Sequence, residues 1–246
     1  TTLCGYFGWC HEPEPDVGML LSSAEFLARV GAFDEAEEAV DRALDREPDH
    51  AHGLLVKGYL AEATNRLDLA LESYGRALHF IDDDALRVDI RLSVIDLYRR
   101  KESYSEVETR LDWFETEFGV TPRSLRLRGV AALDQKHYED ARRHFESALA
   151  KAGDDLECHA LIAQAHIGTG RLADARDQLE QAGVDTSAWS VWQRLARAHM
   201  ESGEKGAAHS ALARYVELDR SARRWISQDV FWQQHRDDAE LKELIQ

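Results

Sequence analysis

Residues 31–50 read GAFDEAEEAVDRALDREPDH, and the fold follows from them. Gly31 and Ala32 end one helix, and Phe33 begins the next. Ala36, Val40, Ala43 and Leu44 recur at helical spacing and form its apolar stripe, and Pro48 stops it. Moving on by 34 residues returns the pattern as NRLDLALESYGRALHFIDDD, residues 65–84. Leu67 now stands for Phe33, Ala70 for Ala36, Tyr74 for Val40 and Ala77 for Ala43. A fixed period of this length predicts a solenoid of helix–turn–helix units.

Extended in both directions, the period divides the chain into repeats at 17–50, 51–84, 88–121, 122–155, 156–188 and 189–222. Three extra residues follow the helix break at Asp82, Asp83 and Asp84. The second helix of each unit has a small-residue slot, filled by Ala36, Ala70, Val107, Ala141, Ala175 and Ala208. The first helix has its own, with Ala24, Gly58, Ile95, Gly129, Ala163 and Ala196. Small residues there let two antiparallel helices approach closely. Larger knobs follow on the second helix: Val40, Tyr74, Leu111, Phe145, Leu179 and Leu212. Gly31, Asn65, Gly170 and Gly203 occupy the turn, where the chain is expected to need positive φ.

With these slots in place, the chain from 17 to 222 resembles a tetratricopeptide repeat protein. Repeat three departs from the pattern, with bulky Val107 and Phe114 in small slots and Arg91 in an apolar one. Repeat six carries Lys205 where an aromatic residue or Leu is usual. The resemblance implies an all-α fold, a right-handed α-solenoid (superhelix) of about six helical hairpins. Residues 223–246, with Trp225, Ile226, Val230, Phe231, Trp232, Leu241, Leu244 and Ile245, are expected to form a C-terminal capping helix over the last repeat. A dimer interface is the competing reading of that aromatic group.

The resemblance also implies a function. First helices of this family line a concave groove that binds a peptide or helix of a partner protein. Carried onto this sequence, the groove positions are Leu55, Tyr59, Leu92, Asp96, Arg99, Arg100, Arg123, Arg126, Val130, Gln164 and Arg197. The arginines would cluster at its centre, where guanidinium forks suit carboxylates or peptide carbonyls. The alternative is an Arg–Asp network with Asp89, Asp96 and Asp134 that only solvates the surface. Reversing charge at Arg99 and Arg126 together is expected to abolish binding while leaving helicity unchanged. The clamp by which some members hold chaperone C-termini would fall on Leu21, Glu25, Val56, Asp89 and Ser93, and none of these fits it. The expected protein is thus a non-enzymatic scaffold or adaptor, an assembly factor or chaperone-like protein in bacteria.

Composition narrows the partners. The chain of 246 residues is 44% hydrophobic, 31% charged and carries a net charge of −16. Residues 1–86 hold 6 Lys+Arg against 18 Asp+Glu, whereas residues 87–128 hold 9 against 8. An acidic first third argues against a nucleic-acid footprint and against an anionic membrane surface. No apolar run is long enough for membrane insertion. Only 6 of the 30 basic residues are Lys, an Arg-heavy balance associated with GC-rich bacterial genomes. Three cysteines are too few for a disulfide scaffold, and the opening TTLCGYFG lacks the flank and core of a signal peptide. A cytoplasmic location is the expectation, with a processed secreted form as the alternative.

Catalytic motifs are missing from the sequence: no phosphate loop, no Gly-x-Ser-x-Gly and no His-Glu-x-x-His. No cofactor is expected. His159, His166 and His199 fall on first helices of repeats five and six, with His166 and His199 in one slot of successive repeats. A metal role is one reading and hydrogen-bonded packing the other. Residues 1–16, TTLCGYFGWCHEPEPD, belong to no repeat. They read as a tail packing its aromatics on the first repeat, or as a docking peptide closed by a Cys4–Cys10 disulfide. Self-association through this segment or through the C-terminal aromatics is the alternative function, giving a homo-oligomer.

Overall fold

The computed structural model describes residues 15–153, 155–182, 186–219 and 221–245, and among them it is all helix and turn. The helices follow one another as hairpins. They are α1 (Val17–Arg29) with α2 (Phe33–Arg46), α3 (Ala51–Ala63) with α4 (Leu67–Ala77), and α5 (Asp84–Arg100) followed by α6 (Tyr104–Phe118). Then come α7 (Pro122–Asp134) with α8 (Tyr138–Ala152), α9 (Leu156–Gly168) with α10 (Leu172–Ala182), and α11 (Thr186–Glu201) with α12 (Lys205–Leu218). Three short helices end the chain: α13 (Ala222–Gln228), α14 (Val230–Gln233) and α15 (Ala239–Ile245). The chain divides into two compact units, up to Val107 and from Glu108 onward, with the division inside α6.

One turn serves all six hairpins. The second residue after each first helix has positive φ: Gly31, Asn65, Glu102, Lys136, Gly170 and Gly203, between 58° and 82°. The next amide reaches back five residues, as in Ala32 N–H to Leu27 O, Arg66 to Ala61 and Ser103 to Tyr98. The same bond joins His137 to Ala132, Arg171 to His166 and Glu204 to His199, at 2.7–3.0 Å throughout. This six-to-one bond closes the helix and satisfies a terminal carbonyl that water would otherwise hold. Glu102 and Lys136 make the turn without glycine, at a steric cost of roughly 1–2 kcal/mol each.

The small slots face the knobs of the same hairpin. A Cβ added to Gly58 would lie 2.5 Å from the Tyr74 ring, and one on Gly129 would lie 2.4 Å from the Phe145 ring. Ala36, Ala70, Ala141, Ala175 and Ala208 are fully buried, as are Val40, Leu111, Phe145, Leu179 and Leu212. Val107 and Phe114, the bulky departures, are also fully buried. Burial is the largest factor lowering the pKa of the Arg91 guanidinium, with the Arg87 charge second. The three extra residues after Asp82 add length to α5 rather than a loop. Asp83 caps that helix, its carboxylate accepting the Leu86 amide at 2.9 Å.

The C-terminal end is covered by three short helices rather than by one. Ala222, Ile226, Trp232 and Leu241 are buried in a cluster with Leu212, Tyr215 and Trp192. Trp225 stands edge-on to Tyr215, with ring centroids 6.2 Å apart. Lys205, the unusual residue of repeat six, lies 4.0 Å from Asp238 of the cap. His209 of α12 lies between two cap carboxylates, 3.1 Å from Asp238 and 2.5 Å from Glu240. The polar contacts thus fasten what the apolar ones bury.

Candidate partner-binding surface

In the first unit, α1, α3 and the added turn of α5 together line an open groove of about 610 Å³. Its walls are Glu25, Ala28 and Arg29 from α1, His52, Leu55, Val56 and Tyr59 from α3, and Leu86 from α5. Tyr59 is 56% exposed, a large aromatic side chain held in solvent by a rigid helix. Leu86 is exposed and Leu55 half-buried beside it. His52 Nε2 meets Glu25 Oε1 at 3.0 Å and ties α3 to α1 at one wall. Apolar surface flanked by a few polar groups is the usual make-up of a binding cleft.

Leu55 and Tyr59 follow from the family's groove positions, and Glu25 stands at the Tyr59 position one repeat earlier, whereas Leu86 does not follow from them. Leu86 lies in the insertion before repeat three, and the Asp83 cap three residues earlier is the sequence signal for it. Leu92 is 2% exposed, so its side chain packs beneath the surface. The α5 charges are engaged at home. Arg99 donates to Asp96 at 2.7 Å on the same helix. Arg100 reaches Glu62 at 3.2 Å and Asn65 at 3.0 Å on the preceding hairpin. Glu62 also accepts the Tyr74 hydroxyl at 3.0 Å. Burial and the Glu62 charge together push that phenol's pKa well up, so it stays a donor.

In the second unit, Arg126 of α7 donates to Glu157 at 2.7 Å and to Asp155 at 3.3 Å. Arg123 and Val130 are half-buried on the same helix, and Gln164 is half-buried on α9. Arg197 of α11 donates to Glu201 at 3.1 Å and covers the Phe231 ring of the cap at 4.4 Å. The arginines thus pair with Asp96 and Glu62 in the first unit, and with Asp155, Glu157 and Glu201 in the second.

The three histidines part company. His159 Nδ1 pairs with Gln178 at 2.9 Å, His199 Nδ1 with Glu204 at 2.6 Å, and His166 Nδ1 lies 4.0 Å from Asp174. Among the described residues no group of three or more His, Cys, Asp or Glu is placed to hold a metal ion, so the metal reading finds no site there. Desolvation is the main cause lowering the His166 pKa, so the buried ring is held neutral. Cys158 is buried, and desolvation, with a hydrogen bond to Asp155 at 3.4 Å, pushes its thiol up to about 12. That thiol is protonated and unreactive. Cys4 and Cys10 lie outside the described residues. No described helix is long and apolar enough to cross a membrane. The C-terminal aromatics are largely spent inside, with Trp232 2% exposed and Val230 the large apolar side chain left in solvent.

Comparison with known proteins agrees with this architecture. No curated protein matches the chain in sequence. In structure, it is similar to a tetratricopeptide repeat protein from Parabacteroides merdae, at 15% identity and a TM-score of 0.69, over 96% of this chain and 87% of that one. It is also similar to PilW, a type IV pilus biogenesis factor, at 16% identity and 0.68, over 89% and 98%. A third is a chain of the Cut9–Hcn1 hetero-tetramer of APC/C, at 15% identity and 0.66, of which this chain spans 44%. At such identities the likeness is one of fold. Tetratricopeptide repeat family models match residues 25–85 and 132–186, one in each compact unit. Repeat period, glycine-against-aromatic packing and a six-times-repeated turn lead to the same place: the chain is a tetratricopeptide repeat protein.

Proposed function

We propose that this chain is a protein–protein interaction scaffold, and that its first-unit groove takes an extended segment or helix of a partner. The observation that carries the reading is Tyr59, 56% exposed among Leu55, Val56 and Leu86 on the walls of a preformed groove. Rigid aromatic side chains in such positions give contact area at little entropic cost. The candidate surface runs through Leu55, Tyr59, Asp96, Arg99 and Arg100 in the first unit. In the second unit, Arg123, Arg126, Val130, Gln164 and Arg197 form a candidate surface of their own along its first helices, and the repeat divisions of the sequence are the units of both surfaces. The chemistry is binding rather than catalysis, in an assembly or chaperone-like role inside a bacterial cell. PilW, named as a type IV pilus biogenesis factor, is similar to this chain in fold, and an assembly task of that kind is the one we propose here.

Ordering a flexible segment offsets much of its contact energy, which places affinity on the order of micromolar. The test is a photo-reactive residue at position 59, compared with one at position 72 on α4, in the native cell. A partner adduct at position 59 that is lost on Leu55→Asp supports the reading. Adducts of equal yield at both positions, or indifference to Leu55→Asp, overturn it. Charge reversal at Arg126 is a poorer probe, because a new carboxylate would face Asp155 and Glu157 and loosen the second unit by itself.

A further inference from the structure

In the first unit, charge separates between first and second helices. The groove helices α1, α3 and α5 carry five Asp or Glu against six Lys or Arg, whereas α2 and α4 carry eight against three. The acidic balance of these hairpins therefore belongs to the second helices, and the groove helices are slightly basic. On the groove wall itself, Glu25 is paired with His52 at 3.0 Å. Arg29 is exposed and has no hydrogen-bond or ion-pair partner among the described residues. Arg100 holds the same place in the third repeat and is engaged differently. It reaches back to the preceding hairpin, to the Glu62 carboxylate at 3.2 Å and the Asn65 side chain at 3.0 Å. Arg29 lies in the first described hairpin, so no counterpart of Glu62 stands before it among the described residues.

We infer that the groove takes an acidic segment of a partner, with an apolar side chain on Leu55, Tyr59 and Leu86 and an Asp or Glu side chain on Arg29. The inference rests on the groove reading above and names the chemistry of its occupant. A guanidinium fork matches a carboxylate through two parallel N–H···O bonds. A basic occupant would instead meet Arg29 and find the Glu25 carboxylate of the wall already facing His52. Arg29 also stands in the last turn of α1, where a cation suits the helix dipole, and that role leaves its N–H donors unspent. The apolar walls strengthen the pair relative to one in open water. The acidic second helices repel such a segment, and the groove side, slightly basic, receives it.

The test is a selection from displayed random twelve-residue peptides, flanked on both sides by Gly-Ser linkers so that only side chains supply carboxylates. The full chain is the bait, and Arg29→Glu is a second bait. Groove binders are those lost on Leu55→Asp and on Tyr59→Ser, the latter an exposed position whose change leaves the core untouched. Circular dichroism melts check the fold of each variant. The expected groove binders share an Asp or Glu at a fixed spacing from a large apolar residue. As synthetic peptides they should bind Arg29→Gln about tenfold more weakly than the parent, the usual scale for a hydrogen bond to a charged group. Selection on Arg29→Glu should place Lys or Arg at the same peptide position. Groove binders with no acidic position, or with equal affinity for Arg29→Gln, overturn the inference and leave the groove reading standing. A selection without any binder that depends on Leu55 and Tyr59 overturns both.

Discussion

The two ends of the repeat array differ in how their apolar flanks are covered. After α12, three short helices place Trp232, Ile226 and Leu241 over the last hairpin, and His209 and Lys205 face cap carboxylates. Before α2, the described chain presents α1 with Met19, Phe26 and Val30 in solvent. Stacked hairpins bury each other's faces, so only terminal ones need an outside cover. The difference shows that a repeat's sequence describes its neighbours as well as itself.

Substitution separates the ends most sharply. Trp232→Ala removes a buried indole and should cost about 3–5 kcal/mol in urea unfolding. Phe26→Ala, in a chain shortened to begin at Pro15, should cost no more than about 0.5 kcal/mol, as exposed positions do. A larger loss in the intact chain than in the shortened one would sharpen the comparison. Similar losses at Trp232 and at Phe26 of the shortened chain would break it.

Between the ends, each unit holds a glycine pressed on an aromatic ring. Gly129→Ala drives a Cβ into the immobile Phe145 ring and should destabilise by about 1–3 kcal/mol, despite alanine's better helix propensity. Gly58→Ala against Tyr74 should behave alike, since that ring is also buried. Circular dichroism melts of the two variants would show whether the units share one packing rule.

Acid should act on the second unit through His166. Its folded pKa lies below the ordinary histidine value because burial disfavours the imidazolium. The unfolded chain therefore binds the proton more readily, and stability falls as pH drops below the unfolded value of about 6.5. The fall levels off below the folded pKa. Melting temperatures from pH 7 to 5 should decline less in His166→Gln than in the parent.

The smallest effect belongs to the turns. Lys136→Gly relieves a positive φ of 62° and should stabilise by about 0.5–1 kcal/mol, less the entropy that glycine adds to the unfolded chain. Gly170→Ala should do the reverse, by about 1 kcal/mol.

Much of this architecture is legible in the sequence because it is periodic. Gly58 with Tyr74 and Gly129 with Phe145 state the helix pairing in residue size alone. Positive φ at Glu102 and Lys136 is not legible, because the turn's hydrogen bonds impose it on residues with no preference for it. The groove is half legible. Leu55 and Tyr59 follow from repeat position, whereas Leu86 enters through an insertion that lengthens α5. Leu92 occupies a groove position in sequence but packs inward. The arginines carry charge that the sequence shows and partners that it does not, since Arg100 to Glu62 spans two hairpins.

The most direct measurement is hydrogen exchange of the full chain with and without the partner segment identified by the adduct at position 59. Slower exchange in peptides from α1, α3 and the start of α5, with α2, α4 and α13–α15 unchanged, is the predicted result. Protection on α2 and α4, or at the C-terminal cap, with α3 unaffected, would contradict the groove as the site of function.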